Sequence, residues 1–419
     1  MLVLLLVNQH YYPDVASTGQ HLTDLAEHLA RRGVDVEVLT SRGHYAGYVD
    51  APAREQRNGV RVRRVRTTAF GRTSRLGRIV DYATFYVRVL WTVCTEADLT
   101  GVIFLTTPPL LSVVGALGRA VRGRRYGIWS MDLHPDAEIA AGMVRADGPV
   151  GRGLTWLNDH AYRGADFVVD LGPYMKARIV AKGVPAPRTA TVPVWGHVEP
   201  THGTGGARAL RAALGLDGRF VVMYSGNAGL VHDFEDILGA MRLLRDDPRI
   251  FFLFVGDGPR RSEIEAFAAA HALKNFAYHP YFPREAVGDA LAVADVHLVS
   301  LRRPFVGISV PGKLYGIMAA GRPALFVGPE RCETADTIRD AQCGAVVDPA
   351  AGDGAARIVA AIQAWVANPD DTRAAGDRGR DAFRARYGPA LNCEAFERVV
   401  RSTWGLSAGH QLVRTEPAL

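Results

Sequence analysis

Two stretches of the chain combine residue types and spacing that suit an anion. The first, Tyr224-Ser225-Gly226-Asn227-Ala228-Gly229, leaves an apolar run and leads toward a helical pattern holding Phe234, Ile237, Leu238 and Met241. Glycines there let backbone N–H groups approach an anion, and the following helix N-terminus adds partial positive charge. Glycine-rich turns of this kind also serve simply to close a strand-to-helix connection. The second stretch, SVPGKLYGIMAAGRPALFVG, runs from Ser309 to Gly328. It reads as a helix opened by Ser309 and Pro311, ended by Gly321 and followed by a strand after Pro323. Lys313 then sits in the first turn, where a cation opposes the helix dipole and calls for something negative nearby. A solvated lysine at that position costs only about a few tenths of a kcal/mol, so both readings stand.

These loops need elements to hold them. The chain opens MLVLLLVNQHYYPDVASTGQHL, and no Lys or Arg precedes the apolar run, which fits a buried strand rather than a secretion signal. Gln20 to Arg32 then places Leu22, Leu25, Ala26 and Leu29 on one helical face, Gly33 stops it, and Val34, Val36 and Val38 begin a second strand. Further strand-like runs lie at 99–106, 125–131, 166–171 and 190–194, with helical stretches between them. The expected architecture is α/β, a doubly wound parallel sheet over residues 1–195. Residues 196–210, rich in glycine, read as a linker. The pattern restarts at 219–227, 250–258, 275–281, 296–301, 323–328 and 344–348, giving a second doubly wound domain over 211–385. A helix and frayed tail over 386–419 complete the expectation. Two such domains in series make the cleft between them the natural ligand site.

The totals bound the class. A chain of 419 residues, 48% apolar and 22% charged, has the length of two domains. No apolar run reaches the ~18 residues of a membrane span. The four cysteines, Cys94, Cys332, Cys343 and Cys393, form no CxxC pair, so neither a zinc site nor a disulfide framework is indicated and a cytoplasmic location is expected. The net charge of +6 is unevenly spread, with nine arginines and one acid, Glu55, between Arg54 and Arg78. Ile79, Tyr82, Ala83, Tyr86, Val87, Leu90 and Val93 follow at helical spacing. A basic stretch beside an apolar-aromatic helix, here residues 54–94, suits a protein resting on an anionic membrane surface, peripheral at the inner face. An exposed strand pair followed by a core helix explains it equally. Nucleic acid is not indicated, because no recognition motif accompanies the charge.

Six stretches in order resemble a family 4 glycosyltransferase of the GT-B fold. They are NQHYYPDVASTGQHLTDLAEHLARRGVDVEVLT, VVMYSGNAGLVHDFEDILGAM, FLFVGDGPRRSEIEAF, YFPREAVGDALAVADVHLVSL, SVPGKLYGIMAAGRP and DAQCGAVVDP. The resemblance implies two Rossmann-like domains and retaining transfer from a nucleotide-diphosphate sugar, UDP favoured, held mainly by the C-terminal domain. It implies no metal and no other cofactor, since N–H donors and cations stabilise the departing diphosphate. Carried over by position, it implies donor contacts from Gly19, Gly226, Asn227, His232, Ser309, Val310 and Lys313. Asn227 and His232 stand where relatives usually carry Arg and Lys. Gly316 and Ile308 stand where many carry the two glutamates of a Glu-x7-Glu pair, and Glu333, in a PSK-like context, is the candidate substitute. On the acceptor side the resemblance points to Asp132 and His134 as the group that orients a hydroxyl and accepts its proton, with Asp136 and His10 beside them.

The expected partners are a nucleotide sugar and a lipid-linked, saccharide or small-molecule acceptor, as in cell-surface polysaccharide assembly. A non-catalytic partner or glycan-binding subunit is the alternative that the departures at Ile308, Gly316 and Asn227 keep open. A GT-B sugar-nucleotide epimerase is a further one, against which PGKLYGIMAAGRP speaks. A dinucleotide oxidoreductase is disfavoured because the first strand-to-helix turn lacks GxGxxG.

Overall fold

The computed structural model describes residues 3–44, 47–48, 51–68, 70, 75–197 and 204–405. Among them are two parallel sheets flanked by helices. The first runs in spatial order Thr189–Thr191, Phe167–Asp170, Tyr126–Trp129, Leu99–Leu105, Val3–Val7, Val36–Ser41, Val60–Val65, Arg54–Arg57. Only the last strand is antiparallel to its neighbour. Val3–Val7 is apolar along its length and buried from Leu4 to Val7, as a strand covered on both faces must be. The second sheet runs Phe276–His279, Ile250–Val255, Phe220–Ser225, Val296–Ser300, Ala324–Val327, Gly344–Val347, all parallel. In both sheets the order reverses beside the first strand, at Val3–Val7 against Leu99–Leu105 and at Phe220–Ser225 against Val296–Ser300. Such reversals open a crevice at the carboxyl ends of the strands.

Every strand expected from an apolar run is present within a residue or three of its expected ends. The first part of the basic segment forms the strand pair that its sequence equally admitted. Arg54–Arg57 and Val60–Val65 pair as an edge hairpin whose arginines meet acids of the same half. Arg57 pairs with Glu27 at 3.1 Å, Arg61 with Asp35 at 2.6 Å, Arg63 with Glu37 and Glu96, and Arg64 with Glu55 at 2.7 Å. The Arg64 side chain is 1% exposed and also donates to the Tyr12 carbonyl. Four of the hairpin's five arginines are therefore spent internally.

The following helix, Arg75–Thr95, is rotated from the expected face. Phe85, Val89 and Val93 enter the core, whereas Leu76, Ile79, Val80, Val87 and Trp91 are exposed. The segment is apolar on more than one side, so spacing alone admits two orientations.

Part of the expected linker is helical, since Thr204–Ala213 forms a helix; residues 198–203 lie outside the described residues. The charged tail forms helices Pro369–Ala382 and Pro389–Trp404, joined by a π turn at Phe383–Tyr387. The last helix returns to the first half. Glu397 takes a hydrogen bond from His28 at 2.9 Å, and Trp404 donates to Asp166 at 3.0 Å while its ring packs on Phe167. Trp404 lies so close to the sheet that a Cβ at Gly101 would stand 2.8 Å from its ring. Truncating that buried indole leaves a cavity under the sheet, and Trp404→Ala is expected to cost about 3 to 5 kcal/mol in urea unfolding.

Candidate functional site

On the second sheet, the loop after Phe220–Ser225 and the helix Lys313–Ala319 meet at the reversal of strand order. Gly226 has φ +122°, and a Cβ there would stand 3.5 Å from the Lys313 Nζ. The Lys313 Nζ is buried, has no hydrogen-bond partner and lies 3.6 Å from the centre of the Tyr224 ring. Burial holds this lysine well below the usual ammonium range. The anion that its helix position calls for is absent from the described residues.

The glycine loop itself differs in part from an anion cradle. The N–H groups of Gly226 and Ala228 are taken by the Val255 and Asp257 carbonyls, at 2.9 and 2.7 Å. The donors left without a partner among the described residues are those of Asn227 and Gly229. His232 is buried and its Nδ1 donates to the Ser300 carbonyl at 2.6 Å. Burial, and then the Lys313 charge, push it well below the usual imidazole range, so it is neutral and does not replace the cation expected there. At Gly316 a Cβ would make ordinary contact with Leu291 at 3.5 Å, so crowding is not why glycine stands there.

On the first sheet, the loop after Tyr126–Trp129 carries Asp132 and His134. The Thr106 hydroxyl accepts the N–H groups of Met131 and Asp132, at 3.2 and 3.1 Å, and fixes the loop. His134 Nδ1 lies 2.8 Å from the Glu138 carboxylate. Nδ1 therefore donates, leaving Nε2 as the proton-accepting nitrogen. Burial alone would lower this imidazole, but the Glu138 hydrogen bond and the charges of Glu138, Asp132 and Asp136 raise it above its ordinary value. Glu138 was not among the residues singled out from sequence, although its spacing four residues after His134 across a helix start is a signal for it.

The remaining candidates are held by neighbours. Asp136 pairs with Lys182 at 2.7 Å, and His10 with Asp14 at 2.6 Å. Gly19 lies in the first turn of the helix Ser17–Arg31 rather than in the loop, and a Cβ there would press on the His10 backbone at 3.1 Å.

The two halves are stitched together at this place. Asp132 and Ser309 form an isolated β-bridge, and the Leu133 N–H donates to the Ile308 carbonyl at 3.0 Å. Val310 packs partly buried beside them. Glu333 belongs to the same seam in another way. Its carboxylate accepts the Met175 N–H at 2.8 Å and so caps the helix Pro173–Ala181 of the first half. Burial pushes its carboxyl up, and the N–H groups of Met175 and Tyr174 oppose that. The acid expected to face the donor is thus engaged across the seam.

Two family models match the chain: "Glycosyl transferase 4-like domain" over residues 18–195 and "Glycosyl transferases group 1" over residues 207–382. WcaI of Escherichia coli (strain K12), whose name ties it to glycosyl transfer in colanic acid biosynthesis, is 25% identical over 354 residues, covering 79% of this chain and 86% of WcaI. The fold is similar to that of sucrose-phosphate synthase from Thermosynechococcus elongatus, with TM-score 0.77 and 17% identity over 97% of this chain and all of the other. It is also similar to that of Anabaena Alr3699/HepE, solved with UDP-glucose, with TM-score 0.72 and 12% identity over 97% of this chain and all of the other. Both are two-domain GT-B folds, as expected here.

A buried lysine without a partner among the described residues burdens the ligand-free protein, because folding strips the proton it holds in water. Because the lysine is depressed, the unfolded chain binds the extra proton between the folded value and about 10.4, and stability rises with pH through that window. Lys313→Met is therefore expected to be more stable than wild type near pH 7 without ligand, with its advantage shrinking toward pH 10. A constant gap in urea midpoints across that range would mean that the ammonium is hydrated.

Proposed function

The chain belongs to the group 1 glycosyltransferases of GT-B fold, and we propose that it moves a hexose or hexosamine from a UDP-sugar to a lipid-linked or saccharide acceptor, with retention and without a metal. The observation that carries the donor half of this reading is Lys313. A lysine buried beside Gly226 with no carboxylate partner among the described residues is stable as an ammonium only when an anion enters, and a sugar-nucleotide diphosphate is such an anion. HepE, solved with UDP-glucose, has this fold, which supports choosing UDP as the first nucleotide to test.

In this reading the anomeric carbon–oxygen bond to the diphosphate breaks as the acceptor oxygen bonds to that carbon. The electron pair passes to the leaving diphosphate, where Lys313 and the N–H groups of Asn227 and Gly229 meet the growing charge. The acceptor proton passes to His134 Nε2, with Glu138 holding the ring and stabilising its charged form. Ser309 and Asp132, paired across the seam, bring donor and acceptor sides together.

The face formed by three neighbouring helices supports a membrane-borne acceptor. Ser112–Arg122 packs against both Arg75–Thr95 and Pro149–Gly164. Leu76, Ile79, Val80, Val87 and Trp91, with Leu117 and Val121 and with Val150 and Leu157, are exposed on these three helices. Arg88 and Arg122 are exposed on the same helices without an ion pair among the described residues, Arg122 donating its Nε–H to the Cys94 carbonyl at 2.7 Å. Among the described residues no helix is long and apolar enough to cross a membrane, so attachment in this reading is peripheral. Co-sedimentation with phosphatidylglycerol vesicles, but not with pure phosphatidylcholine, is expected, and Ile79→Glu with Trp91→Glu should weaken it roughly tenfold.

UDP or its sugar conjugates should raise the melting temperature of the wild type, and Lys313→Met should remove the shift. With a competent acceptor, His134→Ala should lose about 100-fold or more in kcat. Because His134 is raised and must be neutral to accept the proton, kcat/KM should rise with pH through a value above 6.5, and Glu138→Gln should move that limb downward. The product's anomeric coupling constant reads the stereochemistry. A UDP shift with no turnover on any acceptor would favour the non-catalytic partner.

A further inference from the structure

A cavity of about 710 Å³ lies beside the seam, sharing Asp136 and Ile308 with it but neither His134 nor Lys313. Its walls come from Asp136–Ala140, Pro149–Gly164 and Pro173–Ala181 of the first half and from Arg303–Phe305 and Ile308 of the second. The volume is that of a small-molecule site. One wall is apolar, with Ile139, Ile308 and the indole of Trp156, which is 62% exposed. Three arginines, Arg152, Arg163 and Arg178, line the rest.

These arginines are placed and not neutralised. Arg163 donates one N–H to the Lys182 carbonyl at 3.1 Å, and Arg178 donates its Nε–H to the Val306 carbonyl at 2.7 Å. Each bond orients a guanidinium and leaves most of its five donors. Arg152 makes no side-chain hydrogen bond or ion pair among the described residues. The two acids in the wall, Asp136 and Asp159, both belong to Lys182, at 2.7 and 3.2 Å. The cavity therefore holds a surplus of cations with guanidinium forks, the geometry that matches phosphate oxygens. An apolar wall beside them suits a ligand that is anionic at one end and apolar next to it.

Position narrows the ligand further. Asp136 follows His134 by two residues, and the Ile308 carbonyl accepts the N–H of Leu133. The cavity thus adjoins the acceptor-side loop and not the Gly226–Lys313 loop. We infer that it is an anion site for the phosphate or diphosphate that joins the acceptor saccharide to its carrier, a proposal that rests on the glycosyltransferase reading above. The same chemistry has two sources, a prenyl-diphosphate carrier and a soluble phosphorylated acceptor. Because both halves contribute walls, the bound group also favours the closed seam.

The test is calorimetric titration of the full chain with farnesyl diphosphate, farnesol and inorganic diphosphate, each with UDP saturating so that the donor site is filled. Farnesyl diphosphate should bind, and Arg152→Gln with Arg163→Gln should weaken it about tenfold or more while the UDP-induced melting shift stays intact. Lys313→Met should leave this binding unchanged. Inorganic diphosphate binding as tightly as the prenyl form would assign the site to soluble phosphorylated acceptors; much weaker binding would assign it to lipid carriers. Equal affinity in wild type and the double variant would overturn the proposal. So would binding that Lys313→Met removes, or no binding by a wild type that still shifts with UDP. Probe binding that follows the arginines in a protein with no UDP shift would keep the anion site and sink the donor reading.

Discussion

The hydrogen bond from the Leu133 N–H to the Ile308 carbonyl, with the Asp132–Ser309 bridge beside it, is the contact on which the site depends. Each sheet alone delivers loops to the carboxyl ends of its strands and leaves them facing solvent. Joined by this short bridge, the loop carrying His134 and the segment leading to Lys313 lie against one another. The bridge is two residues long, so it cannot hold the halves unaided. Glu333 capping the helix Pro173–Ala181, Tyr174 donating to Asp336 and Arg178 donating to Val306 spread the load over the same seam. Chain continuity adds another fastening, because the helix Pro389–Trp404 buries Phe396 and Trp404 in the first half after the chain has completed the second.

The architecture was legible because parallel strands buried on both faces must be short continuous apolar runs, and such runs recur through the chain with helical stretches between them. The loops that matter were legible for a related reason. At Gly226 and Gly256 the backbone has positive φ, and at Gly256 a Cβ would also stand 2.3 Å from the Gly226 carbonyl, which favours glycine and leaves a mark in sequence. Lys313 in a first turn was visible as an electrostatic oddity.

What stayed hidden depends on partners distant in the chain. Nothing local in the arginine-rich run tells that Arg63 will meet both Glu37 and Glu96, since strand pairing decides it. The helix Arg75–Thr95 carries apolar residues around most of its circumference, so its buried side is chosen by Gly118 and its neighbours on the next helix, where a Cβ would stand 2.5 Å from Val93. Glu333 reads as a site acid until the helix it caps is seen 158 residues upstream.

The departures from the family pattern acquire a common electrostatic sense. Asn227 contributes no charge, and His232 is kept neutral by burial and by Lys313 itself. A second cation at His232 would repel the first inside a space where neither is hydrated, and in low dielectric that repulsion is severe. A single buried lysine over the Tyr224 ring, which cation–π attraction braces once it is protonated, would in the proposed reading carry the charge toward the donor on one atom. Its interaction with the proposed diphosphate would be less screened than that of exposed arginines. In the proposed reading, glycine at position 316 is consistent with this, because a carboxylate one turn after Lys313 would offer the lysine an internal partner.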